Sequence, residues 1–456
     1  MKKRIIIQIL SLGLFSVSLQ AQEQKWSLEK CIRYALENNT DVRSSALVIN
    51  ANRILVDKSK LDYVPHLNFT TDYRFDISRS LDANYAFIEN AKVNMANTGI
   101  YLETVVFDGF RKYNNYRKTL FDLDVSKADF EALKNDLSLS VMMSYMNVML
   151  GKEILQSIKR QIEISENNLQ KMTRFLEEGM ATDENLQNIL VQLDNEKYSL
   201  AEAEGSLKGA VISLCSLLNL KDYDAFEIDD RLSIEMPERL QLADVLSSAL
   251  SLPQIKAAKK RVNSSEYALK IAKSDFYPVL SFGASGASSF SDARKKMLFD
   301  ENGVPVMVDN RIQYETYPLT SQLKNHRFGL ITISLSYPIS NFIQTRKNVA
   351  LAKNNILQAQ INLEVAEKNL TEHIRQVYSE VETAKKKYDA AQSSVEHTRT
   401  LLVYADNKLQ NGALTTSDYI ITKNNLLISE AQASKAKYEY FFKSELLKFY
   451  LTYETK

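Results

Sequence analysis

The chain repeats itself, and this repeat constrains its fold more than any other feature. The segment 62–69, DYVPHLNF, returns 213 residues later as the segment 275–282, DFYPVLSF. Farther along, Gly179 returns as Gly412, 233 residues later. The difference of 20 residues is an insertion in the second copy. Similarity at a fixed offset predicts two structural repeats whose cores are incomplete alone, so we expect one elongated body.

Each repeat is predicted to contain a pair of strands bracketed by helices. Alternating polarity and flanking turn residues predict where the strands lie. We expect strands at about 66–80 and 97–108 in the first copy and at about 278–290 and 327–338 in the second. The insertion falls between the two strands of the second copy. The predicted boundaries are a first repeat at 22–221, a linker at 222–239 and a second repeat at 240–456.

Long coiled-coil helices follow the strand pairs. In the second copy an apolar seam runs from Ala352 to Ala405 in steps of four and three residues, with one doubled step of four. This pattern predicts a single helix over about 341–411. At 1.5 Å per residue that helix spans on the order of 100 Å. Its polar outer positions exclude a path through lipid. The counterpart, over about 110–178, has a less regular seam.

Both long helices end at a glycine and turn directly into another helix. Gly179 and Gly412 suit the left-handed position that follows a helix end. Thr182 or Ser417 can cap the next helix through its hydroxyl. Each repeat is therefore predicted to contain a helical hairpin with a tight tip.

Two of the predicted strands are long and regular enough to cross a membrane. From residue 67 to 77 apolar and polar side chains alternate for about a dozen residues, the length of a tilted transmembrane strand, and residues 331–337 repeat the pattern. Aromatic residues collect where strands meet helices, as in an interfacial girdle. We expect Phe69, Tyr73, Ile331 and Ile333 to face lipid, and Asp72, Arg74, Thr332 and Ser334 to face an aqueous lumen.

Four strands from one chain cannot close a membrane barrel. An open sheet edge is not tolerated in lipid, and about eight strands form the smallest barrel that side chains fill. A cyclic homotrimer with twelve strands is a natural closed solution. A dimer with eight strands is formally possible, although its bore would be nearly filled.

The N-terminus has the pattern of a secretory signal peptide. Lys2, Lys3 and Arg4 precede an apolar run that ends at Leu19, and cleavage after Ala21 is expected, so residues 1–21 are assigned to the signal. The run is shorter than the roughly 20 residues of a spanning helix.

Composition and motifs argue against an enzyme or a nucleic-acid-binding protein. The net charge is +1, and the four histidines are scattered without metal-ligand spacing. No phosphate-binding loop is present, and residues 300–303 read as a turn. We therefore predict no catalytic site, no cofactor and no metal. The only thiols, Cys31 and Cys215, are buried free thiols or form a disulfide, and their spacing does not decide between these.

Several segments resemble the TolC-like outer-membrane efflux family. They are residues 26–39 and 242–250, the prolines that enter the strands, residues 107–109 after the strand pair, and the glycine tips. The resemblance covers nearly all of the mature chain, twice. It implies a homotrimer whose twelve-stranded outer-membrane barrel continues into a periplasmic α-helical tunnel. It also implies a passive exit duct for small molecules or polypeptides, served by a periplasmic adaptor (membrane fusion protein) and an inner-membrane pump of the RND or ABC type.

The resemblance also assigns roles to residues at the helical tips. In the family, acidic side chains shortly after the tip glycine line the periplasmic aperture, and Asp418 occupies the matching place. Ile421 stands where a second acidic residue can occur, and Asn185 is the neutral counterpart of Asp418 in the first repeat. A duct without an energy source needs a partner, and we expect the adaptor to dock at the tips, residues Gly179, Met180, Gly412 and Ala413.

A secreted coiled-coil scaffold or tether with a small β-domain is the alternative function. This function accounts for the coiled-coil seams of the long helices. It does not account for strands of membrane length with alternating polarity and with aromatic residues at their ends.

Overall fold

The computed structural model describes residues 25–81, 87–179, 182–229, 240–411 and 413–452. The predicted signal peptide lies outside these residues, as does most of the predicted linker.

The chain forms two compact units, and each unit draws on both sequence repeats. The helical unit contains the described residues up to 47, residues 128–255 and those from 366 onward. The strand unit contains residues 48–127 and 256–365. Neither repeat is therefore a separate globular domain, which is the arrangement expected when repeats complete each other's cores.

Helices make up most of the described chain. They are α1 Leu28–Asn38, α2 Thr40–Leu61, α3 Arg111–Glu177, α4 Asp183–Leu218, α5 Leu242–Ala249, α6 Pro253–Ser274, α7 Leu319–Asn325, α8 Phe342–Gln410 and α9 Thr416–Thr452. The predicted long helices are confirmed as α3 and α8, to within about one residue at each end. No helix among the described residues is apolar over a stretch long enough to cross a bilayer.

The apolar seam predicted for α8 is confirmed by burial. Every seam position from Ala352 to Ala405 is buried or half-buried, and Ile374 is completely covered. The irregular seam of α3 has a simple cause. Ser165, only 2% exposed, occupies the seam position between Ile162 and Leu169.

The long strands form one antiparallel sheet in the order β1-β2-β3-β8. Their bounds are β1 His66–Leu81, β2 Phe87–Phe107, β3 Val279–Ser291 and β8 Arg327–Ser336. The predicted start of β2 at about 97 was wrong, since the strand begins ten residues earlier. Lys92 and Asn94 are polar, although they pair with Ile77 and Phe75 on the mainly apolar face, so the alternation that marks the strand is lost there.

A tight turn joins β2 to α3. Gly109 has φ +67°, and a Cβ on it would lie 2.7 Å from the backbone oxygen of Ser274 and 2.8 Å from Cβ of Tyr277. Only glycine fits such a close approach in the left-handed conformation. Phe110 follows at φ 65°.

The core of the helical unit surrounds Tyr145, which is completely buried. Its hydroxyl lies 3.0 Å from the carbonyl oxygen of Trp26 and 2.9 Å from that of Asp229. Apolar neighbours such as Leu214 and Leu218 are also fully covered. Burying one such leucine stabilises the fold by about 1.5–3 kcal/mol.

The insertion of the second copy is folded and lies between β3 and β8, as predicted. It contains the short strands β4 Lys295–Met297, β5 Met307–Val308, β6 Arg311–Ile312 and β7 Tyr314–Thr316, together with α7. β4 pairs with β7 and β5 pairs with β6. Residues 300–303 form a turn, as expected, in which Asp300 Oδ1 accepts hydrogen bonds from the amides of Asn302 and Val304.

Candidate functional site: the strand sheet and the helical tips

The sheet has one apolar face and one polar face. Paired residues on neighbouring antiparallel strands point to the same side of a sheet. Ile331 pairs with Ala284, which shares a row with Leu102 and Leu67. Because side chains alternate along a strand, Phe69, Tyr73 and Ile333 lie on this same face.

The four residues predicted to face a lumen share the opposite face. Thr332 pairs with Gly283, whose row continues through Glu103 to His66. Asp72, Arg74 and Ser334 lie on this face as well, because side chains alternate with a period of two along β1 and β8. The register therefore groups each predicted set on its own face. Phe69 is 71% exposed and Ile333 is 74% exposed, so the described chain leaves the apolar face uncovered.

Both outer strands of the sheet have a free edge. Among the described strands, β1 pairs only with β2, and β8 pairs only with β3. β1 has 16 residues and β8 has 10. Rows of unpaired amides and carbonyls of this length are templates for pairing with another chain.

Aromatic residues gather at the helix end of the sheet, where the sequence places them. Phe276 and Phe342 lie 5.3 Å apart between ring centroids, and Phe107 and Phe110 lie 5.4 Å apart. A mixed-charge groove of about 510 Å³ opens nearby, which sequence reasoning missed. Charged residues lining the groove are Asp62, Glu103, Asp108, Arg111 and Lys112.

The first helical tip has the predicted backbone geometry. Gly179 has φ +74°, and no atom lies within 4 Å of where its Cβ would be. Thr182 caps α4, since its hydroxyl accepts a hydrogen bond from the amide of Asn185 at 3.4 Å. Met180 and Gly412 lie outside the described residues.

At the second tip the predicted cap was wrong. Thr415, not Ser417, caps α9, because its hydroxyl accepts from the amide of Asp418 at 3.1 Å. The same hydroxyl donates to Asp418 Oδ2 at 2.7 Å. Ser417 already lies inside the helix. The first bond satisfies a helix-terminal amide, and the negative charge of Asp418 interacts favourably with the positive end of the helix dipole.

The predicted aperture residues differ in exposure. Asp418 is exposed, Asn185 is half-buried and Ile421 is 54% exposed. Asp418 is therefore available to solvent while it supports its own helix.

A group of polar residues near the second tip was missed by sequence reasoning. Burial and a hydrogen bond to Asp406 raise the pKa of Tyr419 to about 12. Burial and the nearby charge of Lys171 lower the pKa of Lys423, whose ammonium lies 5.9 Å from the centroid of the Tyr419 ring. These residues come from α3, α8 and α9, so no local pattern reveals them.

A second polar cluster joins three helices of the helical unit. Glu196 Oε1 on α4 accepts hydrogen bonds from Gln161 Nε2 at 2.7 Å, Ser165 Oγ at 2.9 Å and Gln192 Nε2 at 2.8 Å. Asn424 Oδ1 on α9 accepts from Gln161 Nε2 at 2.9 Å and from Gln192 Nε2 at 3.1 Å. The cluster ties α9 to the α3–α4 hairpin. The serine in the α3 seam was its only sequence signal.

Both cysteines are buried free thiols. Burial raises the pKa of Cys31 to about 12 and that of Cys215 to about 11, so neither is a reactive thiolate near neutral pH. Across the described residues, no set of three or more His, Cys, Asp or Glu side chains could hold a metal ion.

Residues 31–220 and 245–451 both match the outer membrane efflux protein family. The two matched segments cover well over half of the chain. The chain therefore belongs to the outer membrane efflux protein family.

Individual relatives are distant but cover most of the chain. Outer membrane protein TolC of Escherichia coli is 22% identical over 446 residues, which are 96% of this chain and 84% of TolC. Alkaline protease secretion protein AprF of Pseudomonas aeruginosa is 20% identical over 352 residues, which are 76% of this chain and 68% of AprF.

Solved structures confirm the fold. The CmeC outer membrane channel of Campylobacter jejuni has a TM-score of 0.77 at 17% identity and covers 93% of this chain and 85% of CmeC. The open state of the MtrE outer membrane channel of Neisseria gonorrhoeae has a TM-score of 0.71 at 17% identity and covers 93% of this chain and 88% of MtrE.

The class of protein follows from these matches. The chain is an outer-membrane channel of the kind used in efflux or type I secretion, and it has the two-repeat α+β fold with a periplasmic helical portion. The family is one of channel proteins. The alternative of a secreted scaffold was wrong, because the family match extends over both repeats, including the strands.

Proposed function

We propose that three copies of this chain close a twelve-stranded barrel and act as a passive exit duct. The sheet supports the proposal most strongly, because it combines two free edges with one exposed apolar face and one polar face. Pairing β8 of each copy with β1 of the next removes every open edge. The apolar face then meets lipid and the polar face lines water.

The duct needs partners to open and load it. No ATP-binding motif or other energy source is visible in the sequence. The proposed partners are a periplasmic adaptor and an inner-membrane pump of the RND or ABC type. The cargo is small molecules or polypeptides, and secretion of a polypeptide is what the name of AprF describes. Neither a cofactor nor a resident metal takes part.

Cross-linking between neighbouring copies tests the closure. Single cysteines at Asn68 or Thr70 on β1 and at Thr332 or Ser334 on β8 would be combined in one chain. The ring predicts disulfide-linked dimers and trimers in intact membranes, with only some pairs reacting, because one register is adopted. A detergent-extracted monomer that forms none of these products would overturn the trimer. Matched cysteines on β2 and β3, which are already paired on both sides, serve as the control.

A further inference from the structure

The insertion between β3 and β8 is a part of the molecule that a simple duct does not require. We use the word for the whole connection, residues 292–326, whereas residues 82–86 separate β1 from β2 in the first copy. The insertion therefore adds a substantial folded segment at one place per chain.

Buried hydrogen bonds hold the α7 end of this segment against the sheet. Gln322 is completely buried, and its Nε2 donates to the carbonyl oxygens of Ser291 at 2.9 Å and Tyr317 at 2.8 Å. Its Oε1 accepts from the amide of Ser291 at 3.0 Å. Ser291 is the last residue of β3. A fully bonded buried amide of this kind fixes a segment in one orientation.

The fixed segment presents apolar side chains to solvent. Phe299 is 50% exposed, Met307 is 57% exposed, and Val304 and Val308 are similarly uncovered. Backbone pairing brings residues 298–300 beside residues 304–307, because Phe299 bridges to Pro305 and the Val306 amide donates to the carbonyl oxygen of Leu298 at 2.9 Å. We name the four exposed residues Phe299, Val304, Met307 and Val308 the insertion patch. Exposed apolar groups of this density on a rigid support indicate an interface.

The position of the insertion beside an edge strand indicates which surface the patch can reach. The insertion ends at His326, and β8, the edge strand, begins at the next residue. The free edge of β8 is the edge that the proposed ring closes against a second copy. The C-terminal end of the insertion therefore lies next to the edge that the proposed ring would close.

We propose that the insertion patch packs against a neighbouring copy of this chain and fastens the ring at its outer end. The inference rests on the proposed trimer. Three copies related by one axis bring three patches to the same level, so each contact forms three times. The apolar area removed from water then stabilises the closed ring.

Two measurements on the full-length protein test the proposal. The double variant Phe299→Ser with Met307→Ser should lower the midpoint of thermal trimer dissociation by several degrees. The variant Glu301→Gln, an exposed change in the same insertion, should leave that midpoint unchanged. In intact cells, a cysteine at position 299 should react with a hydrophilic maleimide several-fold more slowly than a cysteine at position 301.

Each outcome has one meaning. Trimers with an unchanged midpoint and rapid labelling at position 299 would overturn the insertion contact while leaving the duct intact. Slow labelling with an unchanged midpoint would also overturn it, because lipid or another molecule would then cover the patch. If the parent protein forms no trimer, the proposed function fails, and this is distinguishable because the parent is measured first.

Discussion

At the scale of single residues, two glycines in the same left-handed conformation face opposite surroundings. Gly109 is enclosed by Ser274 and Tyr277, whereas Gly179 points into open space. Gly179→Ala should cost only about 1 kcal/mol, from backbone conformation alone. Gly109→Ala should cost about 1–3 kcal/mol more, because the added methyl group collides with backbone and ring atoms. The thermal midpoint and the yield of assembled channel would measure this, and equal losses for the two variants would refute the account.

Asp418 has two possible roles, and its contact with Thr415 allows them to be separated. Three copies of Asp418 around one axis should attract cations, although Ile421 offers no second carboxylate. Asp418→Asn should therefore weaken block by multivalent cations from the periplasmic side in single-channel recordings. Thr415→Val removes the cap, at a cost of about 1 kcal/mol, but keeps the charge and should keep the block. Unchanged block in Asp418→Asn would show that the side chain only supports its helix.

At the scale of elements, the polar cluster centred on Glu196 should govern the stability of the helical unit. Glu196→Leu removes the acceptor of the Ser165 hydroxyl, at about 1–3 kcal/mol, and leaves Gln161 and Gln192 to share Asn424 Oδ1 as acceptor. Its thermal midpoint should fall, while the same change at the exposed Glu202 should have little effect. Replacing all five polar members by apolar residues should restore or exceed the parent midpoint. A Glu196→Leu variant with the thermal midpoint of the parent protein would contradict a stabilising role for the cluster.

The two tips make a separate prediction about the adaptor. Ala413 is exposed, and its amide donates to the carbonyl oxygen of Lys408 at 2.8 Å, so its backbone is fixed by α8. Met180→Glu and Ala413→Glu should assemble normally yet abolish export and adaptor cross-linking, because a charge blocks docking. Lys386→Glu, in the exposed middle of α8, is the control. Normal export and cross-linking in both tip variants would place the adaptor elsewhere.

Local periodicity explains how much of these elements the sequence predicts. The seam of α8 and the two faces of β1 and β8 follow from patterns in consecutive residues, so they were predicted residue by residue. The start of β2 was missed because Lys92 and Asn94 interrupt its alternation. The cap at Thr415 and the polar cluster were missed because they depend on where a turn ends and on contacts between residues as far apart as Gln161 and Asn424.

At the scale of the whole molecule, the two repeats supply matched strand pairs to a single sheet. β2 of the first repeat pairs with β3 of the second, so the sheet exists only when both repeats are present. Its free edges then lie on β1 and β8, one from each repeat. The internal repeat thus explains both the complete sheet and its need for further copies.

Thiol labelling in intact outer membranes tests the central claim most directly, namely that the polar face of the sheet lines a water-filled duct. Single cysteines would replace Phe69, Tyr73, Asp72 and Arg74 in turn, and a membrane-impermeant thiol reagent would be added. The native thiols of Cys31 and Cys215 should not react with the reagent, because both are buried and have raised pKa values. The account predicts rapid reaction at positions 72 and 74 and slow reaction at positions 69 and 73. Faster reaction at positions 69 and 73 would contradict it.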